Sequence, residues 1–250
     1  GNIIELIEKD DIPKYLLFLE NVFPYMDNYN YQKGMKEIIQ ELKNFLKPKD
    51  IGTDSDRALL LDFQATLEIK PEKAIKLEKD ALAQIENITA DNARLVSNLH
   101  ANLGGLYRMN GHPDLAREHM EKSISLLDQF NLLHINDSIP QIANYAMFLT
   151  EQQEPERGIS ELQKLSGIIK EYHSDHCLDY AKVQETLGTI YLMTANLPQA
   201  KTHFKRAFKI YEKIWADEPE MIEAKYQEIQ ELYPQIGFCI GKNLSGLLTK

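Results

Sequence analysis

Cysteine is scarce in this chain of 250 residues, which contains only Cys177 and Cys239. Two cysteines provide no disulfide framework and fit a reducing compartment, so we expect a cytoplasmic protein. Long apolar runs are missing too, because no window approaches the roughly 18 uninterrupted apolar residues that a spanning helix needs. The first residues show no basic-then-apolar signal sequence. These absences exclude a disulfide-stapled secreted scaffold and predict that the chain has no membrane partner.

Excess positive charge is also lacking. The chain has 28 Lys and Arg against 38 Asp and Glu, which gives a formal net charge of −10. Nucleic-acid binding needs a basic stripe that neutralises phosphates, so this balance predicts no nucleic-acid partner. The local cluster of Lys43, Lys47 and Lys49 falls at the end of a predicted helix, where it would complement the helix dipole.

The signatures of catalysis and of metal binding are absent as well. There is no Gly-x-Ser-x-Gly elbow, no cysteine in a recognisable catalytic context and no glycine-rich phosphate loop. His173, His176 and Cys177 lie close together, but no second pair of ligands follows at zinc-finger spacing. His112 and His119 are interpreted as surface residues. The sequence therefore predicts no enzyme, no cofactor and no metal site.

The most regular feature is a sequence pattern that recurs at a fixed spacing of 42 residues. The strongest copies join a Leu-Gly-x-x-Tyr stretch to an alanine twelve residues past the glycine: Leu103-Gly104-x-x-Tyr107 with Ala116, and Leu187-Gly188-x-x-Tyr191 with Ala200. A weaker copy, Tyr145-Ala146-x-x-Leu149 with Gly158, lies halfway between them. Further steps of 42 reach Leu61-Asp62-x-x-Ala65 and Ile229-Gln230-x-x-Tyr233. Such self-similarity is typical of a repeat array, and of a binding surface rather than an enzyme.

Each copy predicts two helices joined by a turn. After the small residue, apolar side chains recur at offsets of four, seven and eleven along one face of a helix, as in Ala200, Phe204, Ala207 and Tyr211. Pro113 and Pro198 suit the start of the second helix. Capping residues are expected ahead of the first helix, at Asp91-Asn92, Leu133-His134 and Asp175-His176. Gly104 and Gly188 would let the two helices approach closely.

These residues resemble the tetratricopeptide repeat, in which a Leu-Gly-x-x-Tyr stretch lies in helix A and a small residue opens helix B. The long period is similar to that of kinesin light chains and of bacterial sensor domains. Asp175-His176 resembles the Asp-His-Pro linker of kinesin light chains, with Cys177 in place of Pro. The resemblance implies an all-α fold, a right-handed superhelix (an α-solenoid) of about six helix–turn–helix hairpins. We expect one array over residues 1–250, with a divergent repeat at 11–47 and further repeats at about 55–88, 97–130, 138–171, 180–214 and 221–249.

The resemblance also implies that helix A residues line a concave groove that binds a protein or peptide. The groove residues predicted in this way are Asn98, Asn102, Arg108, Asn144, Met147, Lys182, Glu185, Thr189 and Gln227. Asn102 and Asn144 occupy the same position of adjacent repeats, where their amides would pair with the N–H and C=O of an extended peptide. The alternative is that both are solvated polar residues. Arg108 would bind a ligand carboxylate or bridge to a neighbouring Glu.

The predicted groove becomes acidic towards the C-terminus, at Glu185, Glu228 and Glu231, which would favour a ligand with a basic end. The sequence predicts a non-enzymatic interaction module, a sensor or regulatory domain whose ligand shifts the superhelix between two states. Because the chain begins at Gly1 rather than Met, we interpret the start as a tag remnant or as the edge of an excised domain, and in the second case an effector domain would lie outside the chain. One alternative is a passive scaffold that bridges two proteins, and another is part of an enzyme completed by a missing domain.

Overall fold

The computed structural model describes Leu19 and residues 32–45, 53–135 and 138–232. These residues contain ten α-helices and no strand, which confirms the predicted all-α fold. The helices are α1 (Gln32–Phe45), α2 (Asp54–Thr66), α3 (Pro71–Leu82), α4 (Ala93–Met109), α5 (Pro113–Gln129), α6 (Ser138–Glu151), α7 (Pro155–Tyr172), α8 (Leu178–Met193), α9 (Leu197–Ile214) and α10 (Pro219–Leu232).

The chain divides into two compact units, residues 1–130 and residues 131–250. In the first unit, α2 packs against α3 and α4 against α5; in the second, α6 packs against α7 and α8 against α9. Each of these pairs is a hairpin of an A helix followed by a B helix. Neighbouring A helices also contact each other, α2 with α4 and α6 with α8. The single array over residues 1–250 and its repeat limits stay predictions. Parts of the first and last predicted repeats (11–18, 20–31, 46–47 and 233–249) lie outside the described residues, together with Lys47, Lys49, Tyr233 and Cys239.

The core of each unit lies between the helices of its hairpins. In the first unit, Ala58, Ala81 and Leu99 form a fully buried cluster that joins α2, α3 and α4. In the second, the apolar face predicted for α9 is buried, with Phe204 and Ala207 both at 0% exposure. Burying such faces is the main favourable term in the stability of a helical hairpin.

The turns from helix A to helix B share one backbone conformation at the same 42-residue interval. Gly111, Gln153 and Ala195 have φ angles of 73°, 64° and 59°, in the left-handed region. The residue after each donates its N–H back into the preceding helix: His112 to Tyr107, Glu154 to Leu149 and Asn196 to Tyr191, at 2.9, 2.8 and 2.7 Å. This is the Schellman motif, which satisfies carbonyl groups left without partners at a helix end. Two of the three turns place a residue with a Cβ where glycine is favoured.

The glycines at the repeat positions are required by close helix packing. A Cβ on Gly104 would lie 2.6 Å from Cγ of Met120, and one on Gly188 would lie 2.9 Å from the ring of Phe204. The predicted role of these two glycines is therefore confirmed. Gly158 is held most tightly, because its Cβ would lie 2.6 Å from the main-chain carbonyl oxygen of Ala146.

One predicted cap is wrong, and another is right in position but lacks the capping hydrogen bond. The cap of α8 is Cys177 rather than Asp175 or His176, since its Sγ accepts a hydrogen bond from the Tyr180 N–H at 3.4 Å. Asn92 precedes α4 but makes no side-chain cap; its amide instead bonds to main-chain groups of the preceding turn, at 2.8 and 2.9 Å. Spacing locates these linkers, but the side chain that caps the helix depends on local geometry.

Candidate functional site

In the first unit, α4 supplies all three predicted groove residues. Asn102 is exposed, whereas Asn98 and Arg108 are half-buried. Because α4 is an A helix in contact with the preceding A helix α2, side chains of both helices contribute to this surface.

Asn102 pairs with a carboxylate of the neighbouring A helix. Its Nδ2 donates a hydrogen bond to Oδ1 of Asp62 on α2, at 2.8 Å. An Asn amide has two N–H donors and a carbonyl acceptor, and a carboxylate accepts several hydrogen bonds. A ligand that reaches this surface therefore meets an amide and a carboxylate side by side rather than an isolated asparagine.

A buried acid lies behind this pair. Glu78 of α3 is only 1% exposed, and its Oε2 has no hydrogen-bond partner among the described residues. Burial, followed by the charge of Asp62 and a hydrogen bond with it, raises the pKa of Glu78 well above the usual carboxyl range. Burial therefore favours the protonated form of Glu78, which shares its hydrogen-bonding network with Asp62 and Asn102.

A stacked tyrosine and histidine recur two repeats apart. The rings of Tyr107 and His119 lie 5.4 Å apart at 27°, and those of Tyr191 and His203 lie 5.2 Å apart at 21°. In both hairpins the tyrosine belongs to helix A and the histidine to helix B. The prediction that His119 lies on the surface is wrong, because it is half-buried against Tyr107; His112 is exposed.

Each of these histidines also hydrogen-bonds to helix A through its Nδ1. His119 bonds to Nδ1 of His100, and His203 bonds to Oε1 of Gln184, both at 2.9 Å. Burial is the main reason why the pKa values of His100 and His203 fall to about 4, with smaller effects from neighbouring positive charges. The pKa of His119 is lowered too, again mainly by burial. These imidazoles bond the two helices of each hairpin together.

In the second unit the predicted groove residues are spread over three helices. Asn144 on α6, Lys182 on α8 and Gln227 on α10 are exposed, whereas Met147 on α6 and Thr189 on α8 are half-buried. Gln227 donates a hydrogen bond to Glu223 within α10, at 3.1 Å. Lys182 lies 3.9 Å from Asp179 within α8.

The acidic region predicted at Glu185 and Glu228 is neutralised in part by Lys225. The Lys225 Nζ lies 2.9 Å from Oε1 of Glu185 and 3.1 Å from a carboxylate oxygen of Glu228. Tyr211 donates to the other oxygen of Glu185, at 2.6 Å. Burial alone would lower the pKa of Lys225, but the two glutamates outweigh it and the pKa is raised. Glu185 thus already has two partners, a cation and a hydroxyl.

Sequence reasoning missed both Asp62 and Lys225 as partners of groove residues, although one signal connects them. Asn102 and Asp62 are 40 residues apart, and so are Lys225 and Glu185. A spacing of 40 residues is two fewer than the repeat length of 42. In both pairs this is the spacing at which side chains of neighbouring A helices meet. The pair Asn102 and Asn144 falls in different units, so their joint action on one ligand stays a prediction.

Two classes of feature are not found in the part of the chain that the structure describes. No three side chains among His, Cys, Asp and Glu are placed to hold a metal ion. None of the described helices is long and apolar enough to cross a membrane.

Comparison with known proteins identifies the kind of hairpin. The tetratricopeptide-repeat sequence profile matches residues 138–213, which span α6 to α9. No curated protein matches the sequence.

Three solved structures share the fold at low sequence identity. BtubC (BKLC) from P. vanneervenii superposes with a TM-score of 0.63 at 18% identity, covering 82% of this chain and 83% of that protein. A kinesin light chain of Podosopora anserina with TPR-like repeats superposes with a TM-score of 0.62 at 13% identity, covering 81% of this chain and 98% of that protein. MamA gives 0.51 at 15% identity, covering 75% and 94%. The predicted solenoid fold is therefore confirmed.

Proposed function

We propose that this chain is a sensor or regulatory module that binds an extended peptide on its A helices. The match of residues 138–213 to the tetratricopeptide repeat supports this proposal, because that repeat is generally a non-enzymatic protein-interaction unit. The proposed ligand is a segment of another protein, and no catalytic step is assigned to the chain. The cytoplasmic location and the absence of nucleic-acid and membrane partners remain predictions.

The observation that carries this proposal is the pairing of Asn102 with Asp62 on neighbouring A helices. A peptide backbone presents an N–H and a C=O to each side. Asp62 is a hydrogen-bond acceptor, and the Asn102 amide is both a donor and an acceptor, so the pair contains the types of group that recognise a backbone N–H and a backbone C=O. Main-chain recognition of this kind provides affinity without reading the sequence of the ligand.

The second unit offers a separate supporting surface. Asn144 is exposed on α6, with Met147 one turn further along the same helix. An exposed amide beside a half-buried thioether is suited to a backbone contact flanked by an adaptable apolar contact. We propose that the second unit also binds an extended peptide segment, on its own A helices.

The test is capture of partners by the purified chain from the lysate of its source cell, with cross-linking and mass spectrometry to map each contact. Wild type is compared with the double variant Asn102→Ala/Asn144→Ala. The matched control is Gln129→Ala/Gln163→Ala, which removes two exposed amides from B helices. Circular dichroism verifies that all three proteins are folded.

We expect a peptide or protein that cross-links to α4 or α6, that wild type and the control retain, and that the Asn102/Asn144 variant loses. Equal retention by all three proteins would contradict binding by the A-helix amides. Turnover of a substrate by the chain alone would contradict the non-enzymatic assignment.

A further inference from the structure

Helix α9 carries a band of positive charge on its outer side, although the whole chain has a formal net charge of −10. Five exposed cations form this band, and we call them the α9 stripe: Lys201, Lys205, Arg206, Lys209 and Lys213. Four of them are spaced by four residues, the interval at which side chains lie above one another on a helix. Twelve residues of helix make the stripe about 18 Å long.

Among the described residues, no acidic side chain forms a salt bridge that would neutralise the stripe. No salt bridge joins any of the five cations to an acidic side chain within the described residues. The one acidic residue of α9 is Glu212. The opposite side of the helix is occupied by the core residues Phe204, Ala207 and Tyr211, so the cations all face outwards.

A small pocket lies beside the stripe. Its volume is about 130 Å³, and it is lined by Arg206, Lys209, Lys213, Tyr180, Ile210, His176 and Asp175. The lining combines three cationic side chains and the single carboxylate of Asp175 with the largely buried Tyr180 and Ile210. Because the cations outnumber the carboxylate, the pocket suits a side chain with an apolar stem and a carboxylate end.

We propose that the α9 stripe is a docking surface for an acidic segment of a partner protein. A segment with carboxylates spaced by four residues along a helix places them about 6 Å apart, which matches the spacing of the lysines. Opposite charge across an interface steers association and sets the register. One carboxylate of the segment occupies the pocket between Arg206 and Lys213.

Two other polyanions fit this surface less well. A nucleic acid would bring a long phosphate backbone against a chain that is acidic overall, whereas a short acidic segment needs only the local stripe. A membrane-binding helix buries an apolar face in the lipid. The apolar face of α9 is instead buried in the protein, so an acidic protein segment is the favoured occupant.

This surface is independent of the proposed peptide site, because it lies on a B helix and shares no residue with the predicted groove. A chain that uses both surfaces would hold two proteins at once, as the scaffold alternative requires.

The experiment measures binding of a fluorescent 20-residue peptide with glutamate at every fourth position, by anisotropy, to the full chain. The test variant is Lys205→Glu/Lys209→Glu. The control is Lys73→Glu/Lys76→Glu, which makes the same change of net charge at exposed lysines of α3. A single-stranded DNA of equal length and vesicles that contain phosphatidylserine are titrated in parallel.

We expect the stripe variant to bind the acidic peptide at least about tenfold more weakly than wild type and the control, which should agree with each other. Raising the salt concentration should weaken binding to wild type. Equal binding by both variants, or no binding of the peptide by wild type, would overturn the proposal. Tighter binding of the DNA or of the vesicles than of the peptide would overturn the choice of partner.

Discussion

The hydrogen bond between helix A and helix B involves two histidines in one hairpin, but a histidine and a glutamine in the other. The second hairpin therefore serves as an internal control for the effect of pH on the first. His119 bonds to His100, whereas the equivalent His203 bonds to Gln184, 84 residues further along the chain than His100. A glutamine accepts the same hydrogen bond but does not titrate. Acid should therefore destabilise the hairpin with the His100–His119 pair more than the hairpin with the Gln184–His203 pair.

We expect His100→Gln to reduce the loss of stability in mild acid. The pKa of His100 in the folded protein is about 4, below its ordinary value of 6.5, so its contribution to stability is complete above pH 6.5 and is lost as the pH falls towards 4. Between about pH 7.5 and about pH 5.5 the variant should lose about 1 kcal/mol less than wild type.

Denaturant unfolding at both pH values measures this difference. The reciprocal variant Gln184→His provides the control, because it creates a histidine pair in the second unit and should increase the loss in acid. Identical pH dependence of wild type and His100→Gln would show that the buried histidine does not limit stability in acid.

At the scale of single residues, the sequence predicts the structural role of a residue better than the side chains that it contacts. The regular spacing of Gly104 and Gly188 predicts close helix packing at both positions. The short distances from an added Cβ to Met120 and Phe204 confirm this role. The contact of Asn102 with Asp62 was not predicted, because it depends on how neighbouring A helices are staggered. Lys225 was missed for the same reason: it falls between the positions that the repeat pattern assigns to the groove.

Among the elements, the turns from helix A to helix B carry the clearest strain. Gln153 and Ala195 adopt the left-handed backbone that glycine takes at Gly111. A Cβ in this conformation costs about 1 kcal/mol. The Schellman hydrogen bonds and the helix packing on either side hold both residues there.

We expect Ala195→Gly to stabilise the chain by up to about 1 kcal/mol, because it removes this strain while the hydrogen bonds stay in place. Gly111→Ala should destabilise by a similar amount, since it introduces the strain at the equivalent turn. Thermal unfolding followed by circular dichroism compares the two variants with wild type. A lower melting temperature for Ala195→Gly would mean that the flexibility of glycine in the unfolded chain outweighs the strain.

The hairpins were predictable from the period and from the position of proline and glycine. Pro113 and Pro198 open α5 and α9 as expected. The α9 stripe was also readable in the sequence, as cations at every fourth residue. The net charge of −10 for the whole chain does not reveal it, because a total conceals a local excess of the opposite sign. The caps were not predictable, because Cys177 is a weak hydrogen-bonding group that sequence rules do not favour.

In the whole molecule, packing is concentrated within each of the two units. Repeat proteins gain stability from the repeats themselves and from nearest-neighbour interfaces, so damage to one hairpin is felt first by its neighbours. The effect of a core substitution should therefore depend on the unit that contains it.

We expect Gly158→Ala in α7 to destabilise by about 1–3 kcal/mol, because its Cβ would clash with the main chain of Ala146. Native-state hydrogen exchange should show faster opening of α6 to α9 than of α2 to α5. Gly167→Ala on the same helix is the control, since outside the neighbouring backbone of that helix no atom lies within 4 Å of its added Cβ, and it should stabilise by about 0.5–1 kcal/mol. An equal increase in the hydrogen-exchange rates of both units would mean that the chain unfolds as one cooperative body.

The stacked rings bear on the ancestry of the chain. The pairs Tyr107–His119 and Tyr191–His203 recur after 84 residues, but the intermediate copy has Leu149 and Glu161 at the same places. Met109 and Met193 follow the same alternation. A gene that grew by copying one hairpin at a time would leave its strongest likeness between adjacent copies. Likeness between alternate copies instead points to duplication of a two-hairpin block, in which the odd and even members had already diverged.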